Sequence, residues 1–89
     1  MTITYHSTFK KHYKKRIAQN PSLTKHFTRR ISLFLTDITH PSLRNHPLSG
    51  DLKGYYSFSI TGDIRVIYRF ESERVVQFYD VGTHNQVYK

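Results

Sequence analysis

The sequence predicts an α+β fold in which two N-terminal helices pack on one face of a small, mainly antiparallel sheet. The N-terminal half holds two stretches whose apolar residues recur at helical spacing, and the C-terminal half holds three runs in which apolar and polar residues alternate. Helices followed by a meander of strands form two packed layers. Because the chain shows no repeat, low-complexity tract or linker, we expect one domain over residues 1–89.

The N-terminal segment predicts a short strand and a basic helix. Residues 2–6 alternate Ile3 and Tyr5 with polar neighbours, as a strand does. Ser7 can cap a helix from Thr8 to about Gln19, in which basic residues surround one apolar stripe. The stripe consists of Phe9, Tyr13 and Ile17, and the basic residues are Lys10, Lys11, Lys14, Lys15 and Arg16.

A second helix is predicted from Pro21 to about Thr39. Asn20 is a favourable cap, proline is well tolerated at the first helical position, and Pro41 limits the far end. The apolar stripe of this helix consists of Leu23, Phe27, Ile31, Phe34, Leu35 and Ile38.

Residues 41–54 predict a loop, and three strands follow it. The loop contains two prolines and two glycines without a regular period. Strands are predicted at 55–60, 64–70 and 75–81, separated by turns at 61–63 and 71–74. The even-numbered residues from 64 to 70 are apolar. If they pack beneath the helices, the odd-numbered residues from 63 to 69 face the open side of the sheet: Asp63, Arg65, Ile67 and Arg69.

Charge and composition restrict the function classes. The chain carries 14 Lys+Arg against 6 Asp+Glu, a formal charge of +8. Such a field attracts nucleic acid, an anionic membrane or an acidic protein, although charge also serves solubility alone. The absence of cysteine excludes disulfides, thiolate zinc sites and cysteine nucleophiles. No apolar run resembles a signal peptide or a membrane span, so we expect a cytosolic protein without a membrane partner.

Three segments carry side chains suited to chemistry, and each also has a purely structural interpretation. His46 and Lys53 lie in the loop, where a histidine before proline is commonly a solvated turn residue. Arg65 projects from a strand. A strand arginine commonly belongs to a cross-strand ion pair, but its planar guanidinium is also suited to binding a phosphate. His84 follows a glycine at a strand end and has the form of a turn residue, but an imidazole transfers protons efficiently at neutral pH.

Together these segments contain what cleavage of RNA requires. The 2′-hydroxyl must lose a proton, the charge on the phosphorane must be held, and the leaving 5′-oxygen must gain a proton. Histidines serve the first and third needs, and Arg65 with Lys53 serves the second. Metal catalysis fits less well, because the carboxylates form no paired motif and the six histidines form no zinc signature. We therefore expect no metal site and no cofactor.

The same three segments resemble the RelE/ParE superfamily of bacterial toxins and, within it, the YafQ-like branch of messenger-RNA interferases. The resemblance covers essentially the whole chain, in order. It rests on HPLSGDLKGY at 46–55, on GDIRVIY at 62–68, and on GTH at 82–84 with Tyr88 four residues after His84. Each segment alone is a weak signal, and their order in a basic chain of this length makes the signal specific.

The resemblance implies the same fold and endonucleolytic cleavage of messenger RNA at the ribosome by 2′-hydroxyl attack, without a metal. It implies catalytic roles for four residues, in which histidines and an aspartate transfer protons and an aromatic aids the site or stacks on substrate: His46, Asp63, His84 and Tyr88. Arg65 matches the arginine that stabilises phosphate in RelE, and Lys53 lies near the catalytic lysines of that branch. Further contacts to RNA are expected from Arg69, Lys10, Lys11, Lys14 and Lys15.

Three positions depart from the YafQ-like pattern. Ser59 stands where that pattern has a histidine, Ile64 where it has an aromatic residue, and Asp80 where it has an arginine. The division of proton transfer among the residues therefore stays open. Two alternatives also stay open: a ParE-like toxin that binds and inhibits DNA gyrase without cutting nucleic acid, and an inactive plasmid-stabilisation relative.

The resemblance also implies partners. A toxin kept in a bacterial cell needs a cognate antitoxin, which we expect to cover its basic surface in a toxin–antitoxin hetero-oligomer. The other expected partners are messenger RNA and the ribosome, whose RNA backbone the basic helices would contact. These partners set the expected location in the bacterial cytoplasm.

Overall fold

The computed structural model describes residues 1–88, which form three α-helices and five β-strands. In chain order these are β1 (Thr2–Tyr5), α1 (Ser7–Arg16), α2 (Pro21–Thr36), β2 (His46–Pro47), β3 (Tyr56–Ser59), β4 (Ile64–Ser72), β5 (Val75–Thr83) and α3 (His84–Val87). Single turns of 3-10 helix at Pro41–Leu43 and Gly50–Leu52 flank β2. Within the described residues, no helix is long and apolar enough to cross a membrane.

The five strands form one mixed sheet in the order β1-β5-β4-β3-β2. Strands β2 to β5 pair antiparallel, and β1 lies parallel to β5 at the other edge. Both N-terminal helices contribute to one core on a single face of this sheet, so the predicted fold class is confirmed. Strand β2 lies in the segment that was predicted to be a loop. A strand of two residues is too short to show the apolar–polar alternation by which strands are predicted.

Helix α1 begins and ends earlier than the pattern predicts. Its cap is His6 rather than Ser7, because Nδ1 of His6 accepts a hydrogen bond from the backbone N–H of Thr8 at 3.0 Å. The helix ends at Arg16, where the next two backbone N–H groups both donate to the carbonyl of Tyr13. An imidazole nitrogen can satisfy a free N–H at a helix start as a hydroxyl does.

Helix α2 begins as predicted and ends early. The side chain of Asn20 accepts a hydrogen bond from the N–H of Leu23 at 3.1 Å, and proline follows at the first helical position. The predicted end near Thr39 is wrong, because the helix stops at Thr36. The carboxylate of Asp37 accepts hydrogen bonds from the N–H and the hydroxyl of Thr39, and such local bonds compete with helix continuation.

An aromatic core lies between the helices and the sheet. Phe34 of α2 is fully buried and stacks on Phe58 of β3, with 4.6 Å between ring centroids. It also meets Tyr68 and Phe78 edge-on at 5.0 and 5.8 Å. Phe9 of α1 lies 5.6 Å from the same Phe78. One set of rings therefore fixes both helices to the central strands.

The face of the sheet away from α1 and α2, here called the open face, is partly covered by α3. This helix follows β5 directly and packs against β5 and β4. Ile67 and Val87 are 0% and 9% exposed, yet neither belongs to the main core. Ile67 thus faces the open side as predicted but is shielded there. The predicted end of the last strand at Val81 is wrong, because β5 continues to Thr83.

A hydrogen bond from the core fastens the loop that carries His46. The hydroxyl of Tyr68 donates to Oδ1 of Asn45 at 2.8 Å, and Nδ2 of Asn45 donates to the carbonyl of Ile38 at 3.1 Å. Burial raises the pKa of Tyr68 to about 12. The loop therefore depends on a neutral phenol.

Replacement of Phe34 tests the aromatic core. Phe34→Ala should lower the free energy of unfolding by about 3–5 kcal/mol, because it removes a fully buried ring and leaves a cavity. The control is Leu35→Ala on the same helix, since Leu35 was predicted in the apolar stripe but is 46% exposed. Its cost should stay below about 1 kcal/mol in urea denaturation. Equal costs for the two variants would contradict this packing.

Alkaline pH tests the buried phenol. Above about pH 10 an unfolded tyrosine ionises, whereas folded Tyr68 retains its proton to about pH 12. The unfolded chain then binds fewer protons, so the free energy of unfolding falls as pH rises through this window. Tyr68→Phe lacks this loss. The stability difference between wild type and variant in urea denaturation should shrink from about pH 9 to about pH 11. A difference independent of pH would contradict it.

Candidate active site

Arg65 lies on the open face. Its chain neighbours Ile64 and Val66 are buried in the core, so the side chain between them points the other way. Arg65 pairs with Ser59 of β3 and Gly82 of β5. Its Nε is buried and has no hydrogen-bond partner among residues 1–88, and no carboxylate of these residues forms an ion pair with it. Within residues 1–88, a cross-strand ion pair therefore does not explain why this position holds an arginine.

A β-bulge turns the end of β5 toward the same face. Its extra residue is Tyr79, and for this reason Phe78 and Val81 both face the core although they lie three positions apart. Regular alternation would place Asp80 and Gly82 on the side of Phe78, beneath the helices. The bulge places them on the open face instead.

Arg16 of α1 reaches this face across the edge of β5. Its Nη1 donates to the carbonyl of Val81 at 2.9 Å and lies 3.7 Å from Oδ1 of Asp80. Gly82 allows the approach, because a Cβ at that position would lie 2.7 Å from Nη1 of Arg16 and 2.6 Å from Oε1 of Gln86. Since Gly82 is the strand partner of Arg65, two arginines flank one glycine.

Asp80 anchors this corner of the site. It is 8% exposed, its Oδ1 lies 2.6 Å from Nδ1 of His12, and it accepts a hydrogen bond from the N–H of Val81 at 2.8 Å. Because a carboxylate only accepts, Nδ1 of His12 is the donor. A buried carboxylate needs such partners to offset its lost hydration. Asp80, which departs from the YafQ-like pattern, therefore belongs to a polar network with His12 and Arg16 of α1.

Helix α3 places His84 and Tyr88 side by side. A capping box starts the helix: Oγ1 of Thr83 accepts from the N–H of Gln86, and Oε1 of Gln86 accepts from the N–H of Thr83. The rings of His84 and Tyr88 meet edge to face, 4.6 Å between centroids. His84 is exposed, and the hydroxyl of Tyr88 is buried without a hydrogen-bond partner in the described part of the chain.

His46 lies at the sheet edge, on β2. Its strand partner is Ser57, whose own partner on β4 is Ile67, so the register assigns His46 to the row of residues on the open face. β3 separates it from the strand of Arg65. Nδ1 of His46 lies 2.8 Å from the carbonyl oxygen of Arg44. A carbonyl only accepts, so Nδ1 carries a proton and Nε2 is the nitrogen free for chemistry. His46 also borders a cavity of about 430 Å³ that Tyr68 lines from the core, so it lies at the edge where the two faces of the sheet meet.

Asp63 lies at the same end of the sheet as His84. It is exposed in the turn between β3 and β4. The next residue, Ile64, pairs with Thr83, which directly precedes His84. The end of the β4–β5 ladder therefore places both residues at the same corner of the sheet.

Lys53 and Arg69 border the open face. Lys53 is exposed after the turn Gly50–Leu52, and Leu52 lines a cavity of about 220 Å³ together with Tyr88. Arg69 lies further along β4, where its guanidinium covers the ring of Tyr55 and its Nε donates to Gln77 at 3.0 Å. The remaining residues predicted to contact RNA are exposed on α1: Lys10, Lys11, Lys14 and Lys15.

The described residues contain three buried side-chain polar atoms without a hydrogen-bond partner: Oγ of Ser57, Nε of Arg65 and the hydroxyl of Tyr88. Buried polar atoms are normally paired, and an exception calls for an explanation. Register assigns Ser57 and Arg65 to the open face, and Tyr88 follows the helix that covers it. This face is therefore suited to a polar ligand. Among residues 1–88, no group of three histidines and carboxylates is arranged to hold a metal ion.

Three residues of this site were not among the predicted site residues: His12, Arg16 and Ser57. An acidic residue inside the apolar run of β5 signals that Asp80 needs a cationic or donor partner. The sequence does not show which of 14 lysines and arginines or six histidines supplies it. Ser57 has no signal beyond its strand parity.

Comparisons with known proteins agree with this architecture. The family model described as the bacterial toxin of type II toxin-antitoxin system, YafQ, matches residues 1–89. The crystal structure of YafQ from E. coli strain BL21(DE3) is similar, with a TM-score of 0.80 and 22% identity, over 98% of this chain and 97% of that chain.

Two further solved structures share the fold. A chain of the E. coli DinJ-YafQ complex has a TM-score of 0.76 and 23% identity, over 98% of this chain and 97% of that chain. The YoeB/ParE toxin from Agrobacterium tumefaciens has a TM-score of 0.76 and 20% identity, over 94% and 99% of the two chains. The comparison with curated proteins found no match.

Proposed function

The chain belongs to the YafQ family of bacterial toxins of type II toxin–antitoxin systems, as its motifs predicted, and from this premise we propose that it cuts messenger RNA on the ribosome without a metal ion. The observation that carries the proposal is the position of Arg65 on the open face with a donor that is unpaired in the described part of the chain. Its guanidinium projects from a central strand, away from the core, and its buried Nε has no partner among residues 1–88. A phosphate oxygen entering the open face would supply that partner.

The proposed reaction is an intramolecular transesterification at the phosphodiester. A bond forms between the 2′-oxygen and phosphorus, and the bond between phosphorus and the 5′-oxygen breaks. The proton of the 2′-hydroxyl passes to a base, and an acid protonates the leaving 5′-oxygen. The products are a 2′,3′-cyclic phosphate and a 5′-hydroxyl. Arg65 stabilises the charge that develops on the non-bridging oxygens.

We assign the two proton transfers to His46 and His84. In neutral His46 the proton on Nδ1 is held by the carbonyl of Arg44, which leaves a lone pair on Nε2, the form that a general base needs. His84 is exposed beside Tyr88 and serves as the acid. The substrate spans the distance between the edge strand and the end of β5.

Other residues assist in this proposal. Asp63 lies at the same end of the sheet as His84, and we assign it a supporting role in proton transfer. Tyr88 stacks on a base or supports His84. Lys53 and Arg69 at the borders of the open face, with the exposed lysines of α1, hold the RNA backbone by charge: Lys10, Lys11, Lys14 and Lys15.

The proposed partners follow from the family and from charge. A net charge of +8 favours the ribosomal and messenger RNA of the bacterial cytoplasm. The E. coli relative is found in a DinJ-YafQ toxin–antitoxin complex. We propose that this chain likewise has a cognate antitoxin, which covers its basic surface until released.

Cleavage in a translation extract tests the function. Wild-type protein should produce discrete cuts in the message by primer extension. Arg65→Ala should slow cutting by about 100-fold, roughly 3 kcal/mol, the scale of losing one donor to a developing oxyanion. The control is Arg74→Gln, which removes a charge from the exposed β4–β5 turn and should cut at the wild-type rate.

Each remaining outcome excludes part of the proposal. A change below about threefold for folded Arg65→Ala would place this arginine outside the site. An intact message with inhibited DNA gyrase would indicate a ParE-like function. An intact message with unaffected gyrase would indicate an inactive relative.

A sulfur-substituted message tests the division of proton transfer. His84→Ala should slow cleavage of ordinary RNA by about 100-fold or more. When sulfur replaces the bridging 5′-oxygen at the cut, the leaving thiolate needs no proton, so His84→Ala should regain most of the rate. His46→Ala should stay slow on both substrates, and His26→Ala on the exposed face of α2 is the control. The reverse pattern for the two histidines would contradict the assignment.

A further inference from the structure

We propose that Arg16 is a second phosphate-binding guanidinium of this site, held over the open face by Asp80 so that Arg16 and Arg65 grip one phosphate from two sides. The proposal rests on the proposed nuclease function and deepens it. It adds a residue from α1, outside the three segments that carry the motifs.

The position of Gly82 brings the two arginines together. Gly82 and Arg65 are strand partners, so their Cα atoms lie about 5 Å apart and their Cβ directions share a face. Nη1 of Arg16 lies 2.7 Å from the Cβ position of Gly82, on that same face. Any larger residue at 82 would displace the guanidinium. The missing side chain therefore leaves room for the guanidinium of Arg16 on the face that also carries Arg65.

The free donors of both arginines suit an anion. The hydrogen bond and the ion pair of Arg16 within residues 1–88 use Nη1, which leaves Nε and Nη2 for a ligand. The side chain is 18% exposed and so remains reachable. Arg65 contributes a buried Nε without a partner in the same residues. Two guanidinium groups on one face repel each other, and an anion bound between them would offset that repulsion.

Asp80 and His12 act as positioning residues. Asp80 lies 3.7 Å from Nη1 of Arg16 and is itself held by His12 at 2.6 Å and by the N–H of Val81. This arrangement fixes the long side chain of Arg16 before substrate arrives. A preorganised donor costs less ordering entropy on binding than a free one.

A purely structural role is the rival explanation, since Arg16 also ties α1 to β5 through the carbonyl of Val81. The two roles differ in what must be present. Docking of α1 needs only the Nη1 contacts, whereas phosphate binding needs a guanidinium over Gly82, whichever residue supplies it.

Cleavage rates in the translation extract make the first test. Arg16→Ala, checked by circular dichroism and urea denaturation, should cut about 100-fold more slowly than wild type. Arg16→Lys should lose less, because it keeps the charge without the planar fork. Arg74→Gln is again the control. A folded Arg16→Ala within about threefold of wild type, with Arg65→Ala inactive, would overturn the proposal and leave the nuclease function intact.

Relocation of the guanidinium separates binding from docking. The double variant Arg16→Ala with Asp80→Arg removes Arg16 and its ion-pair partner and places a new guanidinium at position 80. It should regain at least about tenfold of the rate lost in Arg16→Ala, since the donor returns to the same space. A folded double variant no faster than Arg16→Ala would show that the loss comes from α1 docking, and would overturn the proposal.

A double-mutant cycle tests the positioning role of Asp80. Asp80→Asn keeps the size of the side chain and removes the charge that holds Arg16. It should reduce kcat more than it raises KM, and it should add little to the loss in an Arg16→Ala background. Fully additive losses would show that Asp80 does not act through Arg16.

A binding measurement keeps the test independent of catalysis. The probe is a short RNA with one 2′-deoxy nucleotide, which cannot undergo 2′-hydroxyl attack there. In NMR titrations of the full chain, the Nε–Hε signals of Arg16 and Arg65 should move together with one dissociation constant, and that of Arg74 should stay. An unmoved Arg16 signal would overturn the proposal that Arg16 binds phosphate, whether or not the message is cut. An uncut message by itself would overturn only the nuclease function.

Discussion

The pairing of β4 with β5 is the constraint on which the rest of the molecule depends. It directs Ile64, Val66 and Tyr68 into the aromatic core and therefore directs Arg65 out of it. The hydrophobic effect holds this register, because a slip by one residue would bury a guanidinium and expose the core face of the strand. The energy that folds the protein thus also orients the cation that we assign to phosphate.

The bulge at Tyr79 extends this constraint to the end of β5. Without the extra residue, Asp80 and Gly82 would lie beneath the helices, and α3 would leave the strand from the other side. With it, the contacts of α1 through Asp80 and the start of α3 at Thr83 lie at the same corner. Two elements far apart in sequence therefore meet beside Arg65.

The open face combines local instability with proposed function. Unpaired buried donors such as Nε of Arg65 cost stability, and the tightly packed rings around Phe34 on the other face offset that cost. The carboxylate of Asp80 reduces the repulsion among nearby basic side chains. Within residues 1–88 it forms ion pairs with His12 and Arg16 and none with Arg65. The site can therefore stay cationic toward an RNA backbone while α1 remains docked.

The sequence predicted the features that follow from periodicity. The alternation of Ile64, Val66 and Tyr68 was sufficient to assign Arg65 to the open face, and Asn20 with Pro21 marked the start of α2 correctly. Features set by single local hydrogen bonds were not predictable in this way. Examples are the early end of α2 at Asp37, the two-residue β2 and the cap at His6.

The same distinction holds within the site. Motif order identified His46, Arg65 and His84 as candidates, and the structure places all three by register or by α3 around the open face. Arg16 escaped, because its place depends on the bulge and on the missing side chain of Gly82. Neither a bulge nor a contact between distant elements has a periodic signature.

The chemistry of the cut ends tests the central claim most directly, since it reports the attacking group rather than the mere loss of message. Message cleaved by the wild-type protein should carry a 2′,3′-cyclic phosphate on the upstream fragment and a 5′-hydroxyl on the downstream fragment. A single 2′-deoxy substitution before the cut should abolish cleavage at that position only. Fragments with a 3′-hydroxyl and a 5′-phosphate, or cleavage that persists at the deoxy position, would contradict attack by the 2′-hydroxyl on a phosphate held at the open face.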